Sequence, residues 1–517
     1  MNSLGDLKTK LKTMLGHGPL ERGFFDQENC SSALKDLITE KSEQMNTDRL
    51  KTPDYPEMEA AFNFFNNEVL KNNPDIKDIS DYDSFHSGTP MRYKPFPGAV
   101  RAAKKALKSK EVYKYPRTSG DYRSHQMVLD YLKREGFEPD SLEGKNKIGI
   151  ENIVFTCSTT HAYALAVEAV ANKNDVILMT APNYGLFAIM SALGDYQVEM
   201  IDLKEEDDWF VNAEALDAKI TEINKRLKKK YAGKEYVPKV AAFLNINPHN
   251  PMGNVITKKN KKILEGIGDV CLKHHVFVID DLVYRDLTYD LDNLALPMAS
   301  YPKYFNNTIS LFGLSKAYNL AGIRAAVILA PAPVCNLIIN KIHNSMDSMP
   351  TVQVSAVAGA FNGTNRRYRA WRRYVGKLLK EYQYRYKLLR TLVYGCNKNT
   401  DWRVKRDIKR YGGKYFKDLC EGCKGLIKIK IEPRSGFFVI FDFTKLKGKT
   451  TPDGVTITNE NELLNYFYSR GGLRYLMGGN IFWPNKDEFV GRISFGIERK
   501  NIVSNMAIIN EAIRELK

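Results

Sequence analysis

Short apolar runs alternate with longer amphipathic stretches through the middle of the chain. Asn152–Phe155, Asp175–Thr180, Lys239–Asn245, Val276–Ile279 and Thr308–Leu311 are largely apolar, the pattern of strands buried on both faces, and Gln197–Ile201 reads as a further strand. Ala162–Ala171, Phe187–Leu193, Ala213–Lys229 and Lys259–His274 lie between them with helical spacing. This rhythm predicts an α/β domain with a mainly parallel sheet covered by helices. Pro97–Lys108 and Arg123–Glu135 read as helices ahead of it. After Pro331 the pattern changes. Gln353–Phe361 and Ala370–Thr391 read as long helices, Phe437–Phe443 and Val490–Phe495 as strands, and Glu460–Tyr468 and Ile502–Leu516 as helices. The expected organisation is an N-terminal extension over 1–84 that packs on the body, with helical stretches at Ser32–Gln44 and Tyr55–Leu70. A large domain follows over 85–345, then a smaller α+β domain over 346–517 with a loop-rich insertion at 395–428.

Composition narrows the class. A chain of 517 residues exceeds one ordinary domain and can bury a large core. No apolar run approaches the roughly 20 residues of a membrane span, and the N-terminus has no apolar core behind basic residues, so neither membrane nor secretory signal is expected. The seven cysteines, an odd number, argue for free thiols in a reducing, cytoplasmic setting. Cys420-Glu-Gly-Cys423 has the spacing of a metal knuckle, but nothing completes four ligands, so two free thiols are expected and no metal. The net charge of +17 is spread over several helices and reads as a lysine-rich solvated surface. The Arg- and Tyr-rich stretch from Arg366 to Tyr386 could meet nucleic acid, but an amphipathic helix burying its aromatic face explains the same residues, and no nucleic acid is expected.

The polar residues that carry chemistry fall just past strand ends, where open α/β sheets bind ligands. Lys316 follows Ser315 between apolar segments. Desolvation there would lower its pKa and make it a nucleophile; a structural lysine is the alternative. Asn247-Pro-His-Asn-Pro-Met-Gly253 is a double Asn-Pro turn that can hold Asn250 rigidly. Asp280 and Asp281 follow a buried strand and need a donor or a cation nearby. Thr156-Cys-Ser-Thr-Thr160 precedes a helix, either as an anion cradle or as a simple N-cap. Tyr184 and Arg492 lie in turn and strand contexts of the same kind.

In this order and spacing, the Asn-Pro loop, Asp281 to Tyr284, and Ser315-Lys-x7-Arg324 resemble the fold-type-I pyridoxal-phosphate enzymes, in particular the class I/II aminotransferases, over roughly residues 85–515. The resemblance implies an aspartate aminotransferase-like fold and pyridoxal 5′-phosphate as cofactor. It implies that Lys316 carries the cofactor as a Schiff base and later moves the substrate proton. Asp281 would pair with the pyridinium nitrogen, and Tyr284 and Asn250 would bond the 3′-oxygen. Ser158, Thr159, Ser315 and Arg324 would hold the phosphate, joined by Tyr115 from a second subunit, and Tyr184 would stack on the ring. Arg492 would grip the substrate carboxylate beside Gly88 and Asn250, with the loop 85–122 shaping substrate and dimer sites. A homodimer acting on an amino acid and a 2-oxo acid is expected. Gly313 stands where many members have serine, and Thr156–Thr160 lacks the family's common glycine. Aminotransfer leads. A lyase, decarboxylase or other biosynthetic reaction on the same site is the runner-up, and a non-catalytic binding protein the remaining reading.

Overall fold

A computed structural model describes residues 84–90, 93–137 and 147–517. They fall in one compact unit, Ala60–Lys517; the other unit, Met1–Glu59, and the helices expected at Ser32–Gln44 and Tyr55–Leu70 lie outside the described residues.

Seven strands, β1 (Ile153–Thr156), β2 (Val176–Ala181), β3 (Gln197–Asp202), β4 (Val240–Ile246), β5 (Phe277–Asp281), β6 (Thr308–Gly313) and β7 (Ala326–Leu329), form one sheet in the order β1-β7-β6-β5-β4-β2-β3. The pairs β2–β3, β2–β4, β4–β5 and β5–β6 are parallel, and β7 alone runs against its neighbours β1 and β6. Every residue of β4 is buried, as its apolar run requires, and Asn245, the polar residue in it, bonds Asp280 of the next strand. The helix Ala213–Lys230 shows how the covering layer forms. Asn212 caps its start by accepting from the Ala215 N–H, and Lys228, Lys229 and Lys230 sit in the last turn, where the helix dipole favours cations. Leu216, Ile220, Ile223 and Leu227 recur at helical spacing and pack on Val176, Leu178, Val240 and Phe243 of the sheet. Burying each of those side chains contributes about 1.5–3 kcal/mol.

A second, antiparallel sheet has four strands, β8 (Lys428–Ile429), β9 (Phe438–Asp442), β10 (Leu476–Met477) and β11 (Val490–Ser494), in the order β10-β11-β9-β8. Trp209 and Trp483, 5.0 Å apart between ring centres, pack with Met252, Ile440 and Val490 and join this sheet to the Asn-Pro loop. Among the described residues, no helix is long and apolar enough to cross a membrane.

Two elements differ from expectation. The stretch 395–428 is not loop-rich: it holds the helices Trp402–Gly412 and Phe416–Glu421. Asp401 caps the first, and Val404 and Ile408 bury one narrow face. Arg403, Lys405, Arg406, Lys409 and Arg410 surround those two apolar positions and mask the periodicity. The helix Ala332–Met346 was also unread, although Val334, Cys335, Ile338 and Ile342 bury one side of it.

Candidate active site

Lys316 lies three residues past β6, on the loop that leads to β7. Its Nζ donates to the Gly88 carbonyl at 2.7 Å and sits 5.9 Å from the centre of the Tyr284 ring. Burial lowers its pKa to about 8; Arg492 and Arg324 push in the same direction and Asp281 opposes them. A cation in low dielectric next to other cations gives up its proton more readily.

The two neighbouring carboxylates divide their tasks. Asp280 is fully used by the scaffold: Asn245 Nδ2 donates to Oδ1 at 2.8 Å and the Met298 N–H to Oδ2 at 2.9 Å. The Asp281 carboxylate accepts the Val283 N–H on Oδ1 at 3.0 Å, the sole hydrogen bond to that carboxylate among the described residues. Burial raises Asp281 to about 7, against the pull of that N–H and of Lys316. A buried carboxylate with an oxygen to spare is poised to receive a donor or cation.

The Asn-Pro loop is fixed by Asn247, whose Nδ2 donates to Ile256 O (3.0 Å) and Leu296 O (3.1 Å) while its Oδ1 accepts the Ile256 N–H (2.9 Å). That staple leaves Asn250 free to face inward, where its Oδ1 accepts from Arg492 Nη1 at 3.3 Å. Arg492 is the third residue of β11. It is buried, its Nη2 donates to His86 O at 3.0 Å, and its guanidinium lies 4.1 Å from the Phe438 ring centre. Its Nε is buried without a hydrogen-bond partner among the described residues. Segment 84–88 reaches the site because the Ser494 N–H donates to Phe85 O (2.8 Å) and Ser84 Oγ to Arg474 O (2.8 Å). A Cβ on Gly88 would stand 3.9 Å from both Arg492 Nη2 and Lys316 Nζ, so the glycine keeps the space between those cations open.

Ser158 caps the helix Thr159–Val170, accepting the His161 N–H on its side chain, so the N-cap reading of this turn holds. Its φ of +145° and ψ of +165° belong to glycine's region. The turn that lacks a glycine thus forces Ser158 into a glycine conformation. Arg324, at φ +53°, is exposed, and its Nη1 is tethered to Ala321 O at 3.0 Å. Its charge acts on Lys316, on Tyr184 and on Cys157, next to Ser158, which brings these segments around one space. Tyr184 packs edge-on to Phe187, and burial raises its phenol pKa. Thr159, Ser315 and Tyr284 are buried. A Cβ on Gly313 would stand 3.2 Å from the Ala325 carbonyl, a tight approach on the side of β7.

Tyr115 is not gathered into this cluster. It is 91% exposed, on a groove of about 850 Å³ whose lining includes Lys105, Glu111, Arg117, Thr351 and Val354 but no other expected site residue. The residues that sequence reading missed are supports. Asn247 and Asn245 are examples, and so is Tyr318, whose hydroxyl donates to Asp286 Oδ2 at 2.7 Å and ties the Lys316 loop to the turn after Tyr284. The repeated Asn-Pro dipeptide was the available signal for Asn247; Tyr318 had none.

Comparison with known proteins agrees with this geometry. The sequence profile of the aminotransferase class I and II family matches residues 85–404. A bifunctional aspartate aminotransferase and glutamate/aspartate-prephenate aminotransferase of Petunia hybrida is 24% identical over 356 residues, 68% of this chain and 62% of the relative. An aspartate aminotransferase of Musicola paradisiaca (strain Ech703) is 27% identical over 199 residues, 38% of this chain and 44% of the relative. The cystathionine β-lyase PatB of Bacillus subtilis (strain 168) is 25% identical over 238 residues, 46% of this chain and 54% of the relative. The matches span 44% to 62% of the length of these three relatives. Among solved structures, the aspartate aminotransferase from Rhizobium meliloti superposes with a TM-score of 0.66 at 17% identity, covering 87% of this chain and 94% of that one. An aspartate aminotransferase from Thermus thermophilus with maleate gives 0.63 at 16% identity, covering 88% and 96%. With the profile spanning more than half its length, the chain belongs to the class I and II aminotransferase family, whose enzymes use pyridoxal 5′-phosphate.

Proposed function

We propose that this chain is a pyridoxal 5′-phosphate-dependent aminotransferase that moves an amino group between an amino acid and a 2-oxo acid. The observation that carries the reading is the placing of Lys316 three residues past β6, with its Nζ on the Gly88 carbonyl and within the electrostatic influence of Asp281, a buried carboxylate with an oxygen to spare. The residues present suit the cofactor. The cations Lys316, Arg324 and Arg492 act on one space against the single carboxylate of Asp281, a balance that favours a bound anion. Among the described residues, Arg492 Nε is unpartnered and the Asp281 carboxylate has no cationic hydrogen-bond partner.

In this reading Lys316 Nζ holds the cofactor, and Asp281 stands against its ring nitrogen. Asn250 and Tyr284 reach the 3′-oxygen, and Tyr184 lies on the ring. Ser158, Thr159, Ser315 and Arg324 take the phosphate, with Tyr115 supplied by the second subunit of a homodimer. When bound, the cofactor supplies the carbonyl that receives the amino group and the electron sink that acidifies the substrate Cα–H. The chain's own residues do the rest. Arg492 offers a planar fork to the substrate carboxylate, with Asn250 and the Gly88 backbone beside it. Lys316 Nζ, deprotonated more readily than an ordinary lysine, takes the Cα proton and returns it. Asp281, kept ionised by the positive charge opposite it, holds a proton on the ring nitrogen. The expected setting is cytoplasmic.

The test supplies the loaded protein with a panel of ¹⁵N-labelled amino acids and an unlabelled 2-oxo acid. Transfer of ¹⁵N into the new amino acid, lost in Lys316→Ala, is the expected result. The likeness to cystathionine β-lyase PatB favours a lyase as the second reading. Label leaving as free ammonia with no amino product would select the lyase and overturn aminotransfer.

A further inference from the structure

The Cys-x-x-Cys spacing of Cys420 and Cys423 suggests that these two thiols work together, but the fold separates them. Cys423 is fully buried, and its Sγ points to the Leu392 carbonyl at 3.9 Å. Cys420 instead meets Cys396, just past the end of the 30-residue helix Asn365–Tyr394, with the two Sγ atoms 3.2 Å apart and both residues partly exposed. The approach is built into the backbone. The Cys396 N–H donates to Cys420 O at 2.7 Å, and the Cys423 N–H donates to Val393 O at 2.8 Å. Gly395 and Gly422 have φ of +87° and +70°. A Cβ on Gly395 would stand 2.8 Å from Glu421 O, and one on Gly422 would stand 2.4 Å from Gly395 N. Only glycine at both positions lets the two segments come this close.

We propose that Cys396 and Cys420 form a redox-active dithiol, a modification site at which a low-molecular-weight disulfide of the glutathione class converts the pair to an intramolecular disulfide. The sulfurs need to close from 3.2 Å to the bonded distance of about 2.05 Å. The Cys396 thiolate attacks one sulfur of the oxidant. The oxidant's S–S bond breaks, one glutathione leaves, and a mixed disulfide remains on Cys396. Cys420 then gives up its proton and attacks Cys396 Sγ, expelling the second glutathione. Two electrons pass from the cysteine pair to the oxidant, and its two thiols take up the two protons. Burial, then the adjoining Cys396 sulfur, pushes the Cys420 thiol up, and in this order of attack Cys420 takes the second, resolving step. The new bond closes a loop containing the helix Trp402–Gly412 and ties the end of the helix Asn365–Tyr394 to the helix Phe416–Glu421. Arg514 already anchors that second helix, donating to Asp418 O at 3.2 Å and to Glu421 Oε2 at 2.9 Å.

The test exposes the full chain to glutathione buffers of increasing disulfide fraction, blocks free thiols, and maps the digest by mass spectrometry. The expected product is a Cys396–Cys420 cross-linked peptide, lighter by two hydrogens, that dithiothreitol reverses and Cys423→Ser retains. Its formation raises Tm, and Cys396→Ser removes the rise. In Cys420→Ser the mixed glutathione adduct accumulates on Cys396. A cross-link through Cys423, a wild-type protein that stops at the mixed adduct, or thiols that stay reduced at full oxidation would each overturn the proposal. If a serine variant fails to fold, the wild-type peptide map alone decides.

Discussion

At the residue scale, the site stores unfavourable energy that binding would relieve. Asp281 illustrates the electrostatic part. Its carboxyl stands at about 7 in the fold, raised from 3.8 by burial. A raised acid binds its proton more tightly folded than unfolded, so the fold loses stability as pH rises from 3.8 through 7. At about 1.4 kcal/mol per pH unit this bounds the cost near 4 kcal/mol. Asp281→Asn cannot ionise. In cofactor-free protein its stability advantage, read by denaturant unfolding, should be small near pH 4, grow toward pH 7 and then level off, while activity of the loaded enzyme is lost. An advantage independent of pH would contradict the assigned ionisation. Ser158 illustrates the conformational part. Its glycine-like backbone costs about 1–3 kcal/mol, whereas replacing a Ser cap by Gly costs only a few tenths. Ser158→Gly should therefore stabilise the cofactor-free protein by about 1–2 kcal/mol. It should also weaken cofactor binding by roughly tenfold, through loss of a hydroxyl worth about 1 kcal/mol or more to a charged group. Much of this site was legible in the sequence, because Lys316, Asn250, Asp281 and Arg324 carry side chains whose chemistry and spacing are diagnostic together. The φ of Ser158 was not legible, since nothing in a serine announces a glycine conformation. Nor were the partners of Arg492, whose contact with the His86 carbonyl spans 406 positions of sequence.

At the element scale, the packing of the small sheet on the Asn-Pro loop sets the distance between the residues proposed for cofactor and substrate. Trp209 packs on Trp483 within a cluster that also holds Met252, two residues past Asn250, and Val490, two before Arg492. Trp209→Ala should cost about 3–5 kcal/mol of stability, as large-to-small changes in a core do. It should also raise KM for the amino acid, because Asn250 and Arg492 would lose their shared support; a stability loss with unchanged KM would separate the cluster from the site. Strands buried on both faces were readable because a short, unbroken apolar run between turn residues suits few elements besides a central strand. The reversed direction of β7 was not, since its run looks like any other. The segment from β6 to β7 is spent on the Lys316 loop and holds no crossover helix, so the chain returns antiparallel. The helix Trp402–Gly412 escaped notice because its buried face is only a few residues wide amid dense basic charge.

At the scale of the whole molecule, the exposed position of Tyr115 matches its proposed role at a neighbour's phosphate site. That role can be tested with mixed dimers. Lys316→Ala should be inactive, and Tyr115→Ala should bind the cofactor weakly. Refolded together, they should regain activity, because one of the two sites in a mixed dimer would combine an intact Lys316 with an intact Tyr115. Mixtures no more active than the sum of their parents would place Tyr115 outside the partner's site. The claim on which all of this depends is that Lys316 holds the cofactor. Borohydride reduction of the protein with pyridoxal 5′-phosphate, followed by peptide mapping, fixes the cofactor to whichever amine carries it. One modified lysine per chain is expected, at Lys316, and none when an amino acid substrate is added first in excess. Labelling spread over surface lysines, or a Lys316 peptide that stays unmodified, would contradict it.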